Sequence, residues 1–253
     1  MRRRTHYVTT NVSSVREYAP GDSFNRIHWP STARLGRLIS KEFELDPTAD
    51  IWLFLDLDRS AHVEAAWTEP ETRDELFLPW ERPSKLRLAP STIEYAVTIV
   101  ASLTKHFVGQ DQAVGFIGYG RHREMIPADR GERQLTKILE LLAVISPEGH
   151  IPISEVLAAE GAHLGRNTTA IVVTATSQDY WISAAYDLNR RSVNVVSIVL
   201  ESQSFGNPDS NERTAARLAA SGILTYLVRE GDDLAQALLV PYGQGGVPVK
   251  YRV

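Results

Sequence analysis

Five short apolar runs punctuate the chain, and each is rich in valine, isoleucine and leucine. They lie at residues 51–57, 113–119, 169–174, 193–200 and 223–228. Hydrophobicity is continuous within each run and does not alternate, which is typical of strands that are covered on both faces of a parallel sheet. The pattern therefore predicts five buried strands.

Helical periodicity fills the stretches between these runs. Ser91-Thr92-Ile93-Glu94 resembles a capping box, and apolar residues then recur at helical spacing toward Gly109. Further helices are predicted at residues 133–145, 153–163, 179–190 and 211–221. Because strands and helices alternate, we expect an α/β fold: a doubly wound, mainly parallel, Rossmann-like sheet flanked by helices.

Two regions depart from this rhythm. Residues 1–50 carry turn signals and isolated charges, which indicates an irregular or β-rich N-terminal arm. Residues 61–90 are polar and interrupted by prolines, which favours an exposed loop. The predicted organisation is an arm at 1–50 and an α/β domain at 51–245, with a loop insertion at about 61–90.

Composition narrows the class of protein. The chain has 253 residues, 43% hydrophobic and 23% charged, which is enough to bury one sizeable core. A net charge of -4 and a pI near 6.0 give no general attraction to nucleic acid, so we expect no nucleic-acid partner.

The absence of cysteine excludes disulfides and thiolate metal sites, and it fits a reducing compartment. The sequence has no long uninterrupted apolar segment, so it predicts neither a membrane segment nor a signal peptide. We therefore expect a cytoplasmic location.

The first apolar run ends in a cluster of oxygen-bearing side chains. Asp56, Asp58 and Ser60 follow it at alternate positions, and ligands of open α/β sheets bind at the carboxyl ends of strands. Such side chains are the ligands that magnesium prefers. Alternatively, Asp58 or Ser60 caps the next segment and Asp56 pairs with Arg59 or another arginine. His62 is close in sequence, but a lone loop histidine is expected to be solvated.

An enzymatic alternative uses the same loop. Asp-x-Asp after an apolar strand resembles the nucleophile loop of haloacid-dehalogenase-type phosphotransferases. That resemblance implies Asp56 as nucleophile, Asp58 as acid/base, and a magnesium ion on both. The later motifs would fall on Thr174, on Lys105 or Lys137, and on residues 231–233.

Three features of the chain argue against this phosphohydrolase hypothesis. Fifty residues precede the loop, and an additional strand at 113–119 intervenes. Asp232 and Asp233 equally well begin a helix at 234–239.

Motifs of other enzyme classes are missing as well. The sequence contains no Gly-rich phosphate loop, no Gly-x-Ser-x-Gly elbow and no His-Glu-x-x-His motif.

An ordered set of motifs precedes the first predicted strand. It comprises Arg16-Glu17-Tyr18-x-Pro20-Gly21-Asp22, Arg26-Ile27-His28-Trp29, Thr32-Ala33-Arg34-x-Gly36-x-Leu38 and Lys41-Glu42-Phe43. This set resembles the signature of the bacterial family called domain of unknown function 58, in which it precedes a von Willebrand factor A-like domain. The resemblance continues at residues 113–116 and 127–131, so that it spans about residues 15–240.

The signature has two interpretations. Pro20 and Gly21 suit a type II turn that could aim Asp22 at Arg16 or Arg26, and Trp29, held extended by Pro30, could anchor the arm on the sheet. In this interpretation the signature, with Tyr18, Ala33 and Arg34, is structural. Alternatively, Arg16, Arg26, Arg34 and Arg37 present a surface to an anionic partner.

The resemblance also bears on metal binding. Von Willebrand A-like domains that bind metal do so through Asp-x-Ser-x-Ser on one loop, a threonine on a second and an aspartate on a third. Asp56 and Ser60 match, Asp58 replaces the middle serine, and Ile151 and Ala175 stand near the other two positions. We therefore predict a degenerate metal-ion-dependent adhesion site with at most weak magnesium binding and no obligatory cofactor.

The function that the resemblance implies is a non-enzymatic interaction or adaptor domain. Family members are encoded beside MoxR-type AAA+ ATPases, which implies such an ATPase as the protein partner. Many relatives carry membrane helices ahead of the signature. This chain is therefore expected to be a soluble variant or the cytoplasmic part of a membrane-anchored protein.

Overall fold

The N-terminal segment forms a small two-stranded unit. In the computed structural model, which describes residues 14–19, 27–42, 49–64 and 88–243, strand β1 (Ser14–Glu17) pairs antiparallel with β2 (Ile39–Glu42). Helix α1 (Trp29–Leu35) lies between them in sequence. These strands fit the β-rich arm that was predicted.

Trp29 corrects one expectation for this arm. Trp29 is the first residue of α1, and its side chain is 62% exposed, so the predicted extended anchor is wrong. The physical reason is Pro30, because proline is well tolerated in the first turn of a helix, where its missing N–H costs no hydrogen bond.

The second sheet has six strands. They are β3 (Ile51–Leu55), β4 (Val114–Tyr119), β5 (Arg123–Asp129), β6 (Thr169–Thr174), β7 (Asn194–Leu200) and β8 (Leu224–Val228). Their order across the sheet is β5-β4-β3-β6-β7-β8, and every neighbouring pair is parallel except the antiparallel pair β4 and β5. Counted from β3, this is the 3-2-1-4-5-6 order of a doubly wound Rossmann-like sheet, which confirms the predicted fold class.

Five of these strands coincide with the five apolar runs to within two residues at each end. The edge strand β5 was missed because its side chains alternate between exposed and half-buried positions, and charged residues stand at both of its ends. An edge strand covered on one face carries no continuous apolar signal.

Six helices cover the two faces of the sheet. They are α2 (Thr92–Gly109), α3 (Glu132–Leu142), α4 (Ile153–Gly161), α5 (Trp181–Arg190), α6 (Glu212–Ala220) and the short α7 (Leu234–Ala237). Helices α2, α3 and α7 pack into one apolar core, and α4, α5 and α6 pack into the other. Across the part of the chain that the structure describes, no helix combines the length and the apolar character needed to cross a bilayer.

The start of α2 differs from the predicted capping box. Ser91 precedes the helix, but its side chain makes no capping hydrogen bond, and its hydroxyl oxygen is buried without a partner. Ser91 instead forms an isolated antiparallel bridge with Glu64, and Thr92 N–H donates to the Val63 carbonyl over 3.0 Å. The backbone N–H at the start of α2 is thus bonded by a residue at the beginning of the predicted 61–90 insertion. Residues 65–87 of that insertion lie outside the described residues.

Gly149 joins two loops at the carboxyl end of the sheet. Its N–H donates to the Leu57 carbonyl, and its own carbonyl accepts from Arg59 N–H, each over 2.9 Å. A Cβ added at Gly149 would overlap the Tyr119 carbonyl oxygen and would lie 2.7 Å from the Leu57 carbonyl oxygen. Both obstacles are backbone atoms, so neither can rotate away, and only glycine fits.

We expect Gly149→Ala to destabilise the protein by about 3 kcal/mol, because the methyl group must displace backbone atoms. For a chain of this size the melting temperature would fall by roughly 6–12 °C, measured by differential scanning calorimetry. Gly109→Ala is the matched control, since a Cβ there meets nothing within 4 Å. Equal melting temperatures for the two variants would contradict the close approach of the loops.

Candidate functional site

The candidate site lies where the sheet reverses its winding. The chain leaves β3 toward α2 on one face, whereas it leaves β6 toward α5 on the other face, and the two strands are neighbours. In open α/β sheets this arrangement opens a crevice at the carboxyl ends of the two strands. Asp56 follows β3 directly, and Thr174 is the last residue of β6, so both lie at this crevice.

Asp56 is buried in the crevice, with 2% of its surface exposed. One carboxylate oxygen, Oδ2, accepts a hydrogen bond from the Thr174 hydroxyl over 2.6 Å, and Oδ1 accepts from Asp58 N–H over 3.1 Å. The expected pairing of Asp56 with Arg59 is not observed, because the Arg59 side chain is exposed and Asp56 is not. Both oxygens of the carboxylate therefore already have a protein donor.

Burial raises the pKa of Asp56 from 3.8 to about 6. Removing a carboxylate from water disfavours its charged form, and this effect outweighs the hydrogen bonds from Thr174 and Asp58, which lower the pKa. The negative charge of Asp58 adds a smaller upward contribution to the pKa of Asp56. Asp56 thus titrates closer to neutral pH than an ordinary aspartate does.

Asp58 and Ser60 hold the turn that follows. Asp58 Oδ1 accepts from the Ser60 N–H and from the Ser60 hydroxyl, each over 3.0 Å. Asp58 thereby caps a single 3-10 turn, Arg59–Ala61, which confirms the capping alternative. The Ser60 hydroxyl is directed at Asp58 and not at Asp56.

His62 is not solvated, contrary to the expectation from sequence. Its Nε2–H donates to the Asp56 carbonyl oxygen over 2.7 Å, and its Nδ1 lies 3.1 Å from the Thr92 hydroxyl. Burial lowers the pKa of His62. The imidazole therefore links the Asp56 loop to the first turn of α2, and it contacts the backbone of Asp56 instead of its carboxylate.

Two positions at which the resemblance expects magnesium ligands carry apolar side chains. Gly149 forms a parallel bridge with Asp58, and this places Ile151, 40% exposed, on the second loop. On the third loop Ala175 is buried, and its carbonyl accepts from the Asn211 amide over 2.9 Å and from the Ser202 hydroxyl over 3.1 Å. Isoleucine and alanine side chains carry no oxygen, so these two positions add no side-chain ligand.

The described residues also hold no group of three or more histidine, cysteine, aspartate or glutamate side chains placed to bind a metal ion. Asp56, Asp58 and Ser60 are brought together, as predicted, but mainly through hydrogen bonds among themselves and to Thr174.

Tyr180 lies at the edge of the crevice, and no sequence signal singled it out. Its side chain is 46% exposed, and its pKa is raised first by burial and then by the charges of Asp58, Asp56 and Glu155. Tyr180 directly precedes α5, on the loop that follows β6.

The family signature falls partly outside the described residues. Pro20, Gly21, Asp22 and Arg26 are among the residues that are not described. Arg16 lies in β1 opposite Ser40, and Tyr18 N–H donates to the Leu38 carbonyl over 2.9 Å. Ala33 and Arg34 lie on α1, with Arg34 in its last turn. The roles assigned to the signature stay predictions.

The residues suggested for phosphohydrolase motifs are dispersed, apart from Thr174. Thr92 at the start of α2 contacts His62, and Lys105 is thirteen residues further along the same helix, about 20 Å away at 1.5 Å per residue. Lys137 lies exposed on α3. Asp232 accepts from Arg229 N–H over 2.8 Å, and Asp233 caps α7, which confirms that this pair begins a helix.

Comparison with known sequences agrees with the resemblance given above. The model of the family described as "Protein of unknown function DUF58" matches residues 14–76, which confirms the predicted family resemblance. The chain is also 24% identical over 164 residues to the uncharacterized protein YeaD of Bacillus subtilis (strain 168). This match covers 64% of the chain and 34% of YeaD, so the chain spans about a third of that relative.

Several solved structures have a similar chain path. BatB from Bacteroides thetaiotaomicron matches with a TM-score of 0.49 and 15% identity, covering 75% of this chain and 95% of BatB. An aerotolerance-related membrane protein from Bacteroides fragilis matches with a TM-score of 0.46 and 14% identity, over 76% of this chain and 96% of that one. The fold assignment rests on the strand order described above.

We predict that magnesium binds with a millimolar or weaker dissociation constant, because the three loops offer too few free oxygens to replace the waters of the ion. Isothermal titration calorimetry with magnesium chloride measures this directly. Asp58→Ala should leave the titration unchanged. A micromolar dissociation constant would contradict this prediction, and its loss in Asp58→Ala would place the ion at the first loop.

We also predict a pH-dependent effect of Asp56→Asn on stability. The folded-state pKa of Asp56 is raised, so its contribution to folding is fully present below the ordinary value of 3.8 and is lost as pH rises through about 6. The free energy of unfolding of Asp56→Asn relative to the natural protein should therefore increase over this interval, by up to about 3 kcal/mol. Urea denaturation between about pH 4 and pH 7.5 measures the difference.

The comparison between variants is needed because His62 acts in the opposite sense. The pKa of His62 is lowered, so its contribution is present above 6.5 and is lost as pH falls through its folded value. The contribution of His62 is present in both the natural protein and Asp56→Asn, so it cancels when their free energies of unfolding are subtracted. Asp187→Asn, at an exposed position on α5, is the control and should show no such trend. A flat difference for Asp56→Asn would contradict its burial as a carboxylate.

Proposed function

We propose that this chain is a non-enzymatic, von Willebrand A-like protein-interaction domain whose partner binds the carboxyl-end rim of the sheet. The observation that carries the proposal is the hydrogen bond from Thr174 to Asp56. Together with the hydrogen bond from Asp58 N–H, it occupies both carboxylate oxygens of Asp56, the side chain that the phosphohydrolase hypothesis assigns as nucleophile.

A nucleophile or a metal ligand needs an oxygen that can approach the substrate or the ion. Asp56 is 2% exposed, so a substrate phosphorus atom has no open path to its carboxylate. Asp58, the second carboxylate, is engaged as a turn cap. These two constraints favour a binding role for the rim over catalysis.

The rim has the composition of a protein-binding surface. Tyr180 and Ile151 are 46% and 40% exposed and lie on the loops after β6 and before α4, and the half-buried Asp58 lies on the loop after β3. We call Asp58, Ile151 and Tyr180 the rim surface. Aromatic and aliphatic side chains around a single polar group are typical of interaction hot spots, where tyrosine is enriched.

The partner that we propose is a MoxR-type AAA+ ATPase, with the domain acting as its adaptor in the cytoplasm. The support for this identity is the family resemblance, because members of that family are encoded beside such ATPases. The absence of cysteine from the chain supports the cytoplasmic location. The degenerate metal site is consistent with binding that does not require an ion.

We predict that Tyr180→Ala and Ile151→Ala each weaken binding to the purified MoxR-type ATPase of the source organism about tenfold, the loss of about 1.4 kcal/mol typical of hot-spot residues. Biolayer interferometry with the immobilised domain measures the dissociation constants. The chain offers matched controls: Tyr186 on α5 is 45% exposed and Leu139 on α3 is 40% exposed. Tyr186→Ala and Leu139→Ala should bind as the natural protein does.

Three results would contradict the proposal or a part of it. If all four alanine variants bind equally well, the rim surface is not the docking face. If the natural protein hydrolyses a generic phosphate ester with magnesium, and Asp56→Asn does not, the domain is an enzyme of the haloacid-dehalogenase type. Failure of the natural protein to bind the ATPase would rule out that partner.

A further inference from the structure

A surface groove opens beside the rim surface, with a volume of about 610 Å³. Three loops form it: Arg59 follows β3, Gly120 and Arg121 follow β4, and His150 belongs to the loop before α4. Backbone hydrogen bonds of Gly149 to Leu57 and Arg59 join the first of these loops to the third, so two sides of the groove are fixed relative to each other.

The charged side chains of this groove favour an anion. Arg59 is exposed, and among the residues that the structure describes its guanidinium has no hydrogen-bond or ion-pair partner. Arg121 forms an ion pair with Glu148, and 73% of its side chain remains exposed. His150 adds an imidazole. Two arginines and one carboxylate thus line a groove on a chain whose net charge is -4.

A second groove of about 310 Å³ continues from the first and shares Arg121 and Glu148 with it. Its far wall is apolar and is formed by Leu141, Val144 and Ile145 at the end of α3. Val144 is 78% exposed, so this wall is open to solvent. A ligand that spans both grooves would meet cations first and aliphatic side chains next.

We propose that the two grooves together bind an acidic segment of a protein partner. A carboxylate of the segment pairs with Arg59 and Arg121, and a neighbouring apolar side chain packs on Val144. This inference rests on the proposed function, and it adds the chemistry of the segment that the partner must present.

A protein carboxylate fits better than a polyphosphate. Glu148 and Glu124 line the grooves, and Asp58 lies next to Arg59 in the sequence. With two arginines and two glutamates the grooves have no excess of cations, whereas binding of nucleic acid needs several uncompensated ones. A single carboxylate flanked by apolar groups meets one free arginine and one that Glu148 partly neutralises.

Glu148 already pairs with Arg121, one of the two arginines proposed to bind the ligand. A ligand carboxylate must compete with Glu148 for the Arg121 guanidinium. Replacing Glu148 with glutamine keeps the size of the side chain and removes its charge, so it should tighten binding of an acidic ligand. A purely structural role for the Arg121–Glu148 pair would not produce a gain in affinity.

The test uses fluorescence anisotropy with a fluorescein-labelled peptide of Glu-Glu-Leu repeats as the probe. We expect Arg59→Gln and Arg121→Gln to raise its dissociation constant about fivefold each, Val144→Asp to raise it, and Glu148→Gln to lower it. Added salt should weaken binding. Arg190→Gln and Val240→Asp are the matched controls; both residues are exposed, with Arg190 in the last turn of α5 and Val240 after α7, and binding should not change.

Other results would overturn the assignment. Equal binding of a Lys-Lys-Leu peptide would show that charge does not select the ligand, and equal binding of a Glu-Glu-Ser peptide would remove the apolar half. Displacement of the probe by inorganic phosphate at a similar concentration would indicate a general anion site. A loss of affinity in the control variants as large as in the groove variants would also refute it.

The outcome separates this inference from the proposed function. If Tyr180→Ala weakens ATPase binding while the groove variants bind the ATPase normally and the natural protein ignores the Glu-Glu-Leu peptide, the groove assignment fails and the rim surface stands. If the peptide binds as expected but the rim variants leave the ATPase unaffected, the proposed docking face fails and the groove stands.

Discussion

The structure of the rim depends on one buried carboxylate. Asp56 leaves β3 at the point where the winding of the sheet reverses, and it is taken out of water there, which raises its pKa to about 6. An unsatisfied carboxylate at this depth would be strongly destabilising. The Thr174 hydroxyl and the Asp58 N–H reduce that cost, and in doing so they fix the first loop against β6.

The neighbouring loops are held to the first one by similar contacts. His62 connects the Asp56 carbonyl to α2 through Thr92, and Gly149 connects the loop before α4 to Leu57 and Arg59. In a metal-binding site an ion would draw such loops together. Here backbone and side-chain hydrogen bonds join the first loop to the second loop and to α2.

Sequence patterns predicted the buried part of the fold well and its exposed part poorly. Continuous apolar runs mark strands such as β6 that are covered on both faces, whereas β5, at the edge, has charged residues at both ends and only a short apolar stretch, which gives no comparable signal. The cap formed by Asp58 followed from local chemistry. The buried position of His62 and the placement of Tyr180 depend on contacts with distant segments, Thr92 for the first and the aspartates for the second, and no local pattern encodes them.

Charged side chains of opposite sign lie close together around the rim. Asp58 is negative, while Arg59 and Arg121 on the side of β4 are positive, and the aromatic ring of Tyr180 lies on the side of α5. The acidic segment proposed above would be repelled by Asp58 and attracted to the two arginines, so these charges would restrict the side from which it approaches. Opposite charges next to each other would then set the orientation of such a partner, and the exposed side chains of Tyr180 and Val144 would provide apolar contact area. Selection among partners by charge and apolar contact needs no group that performs a reaction.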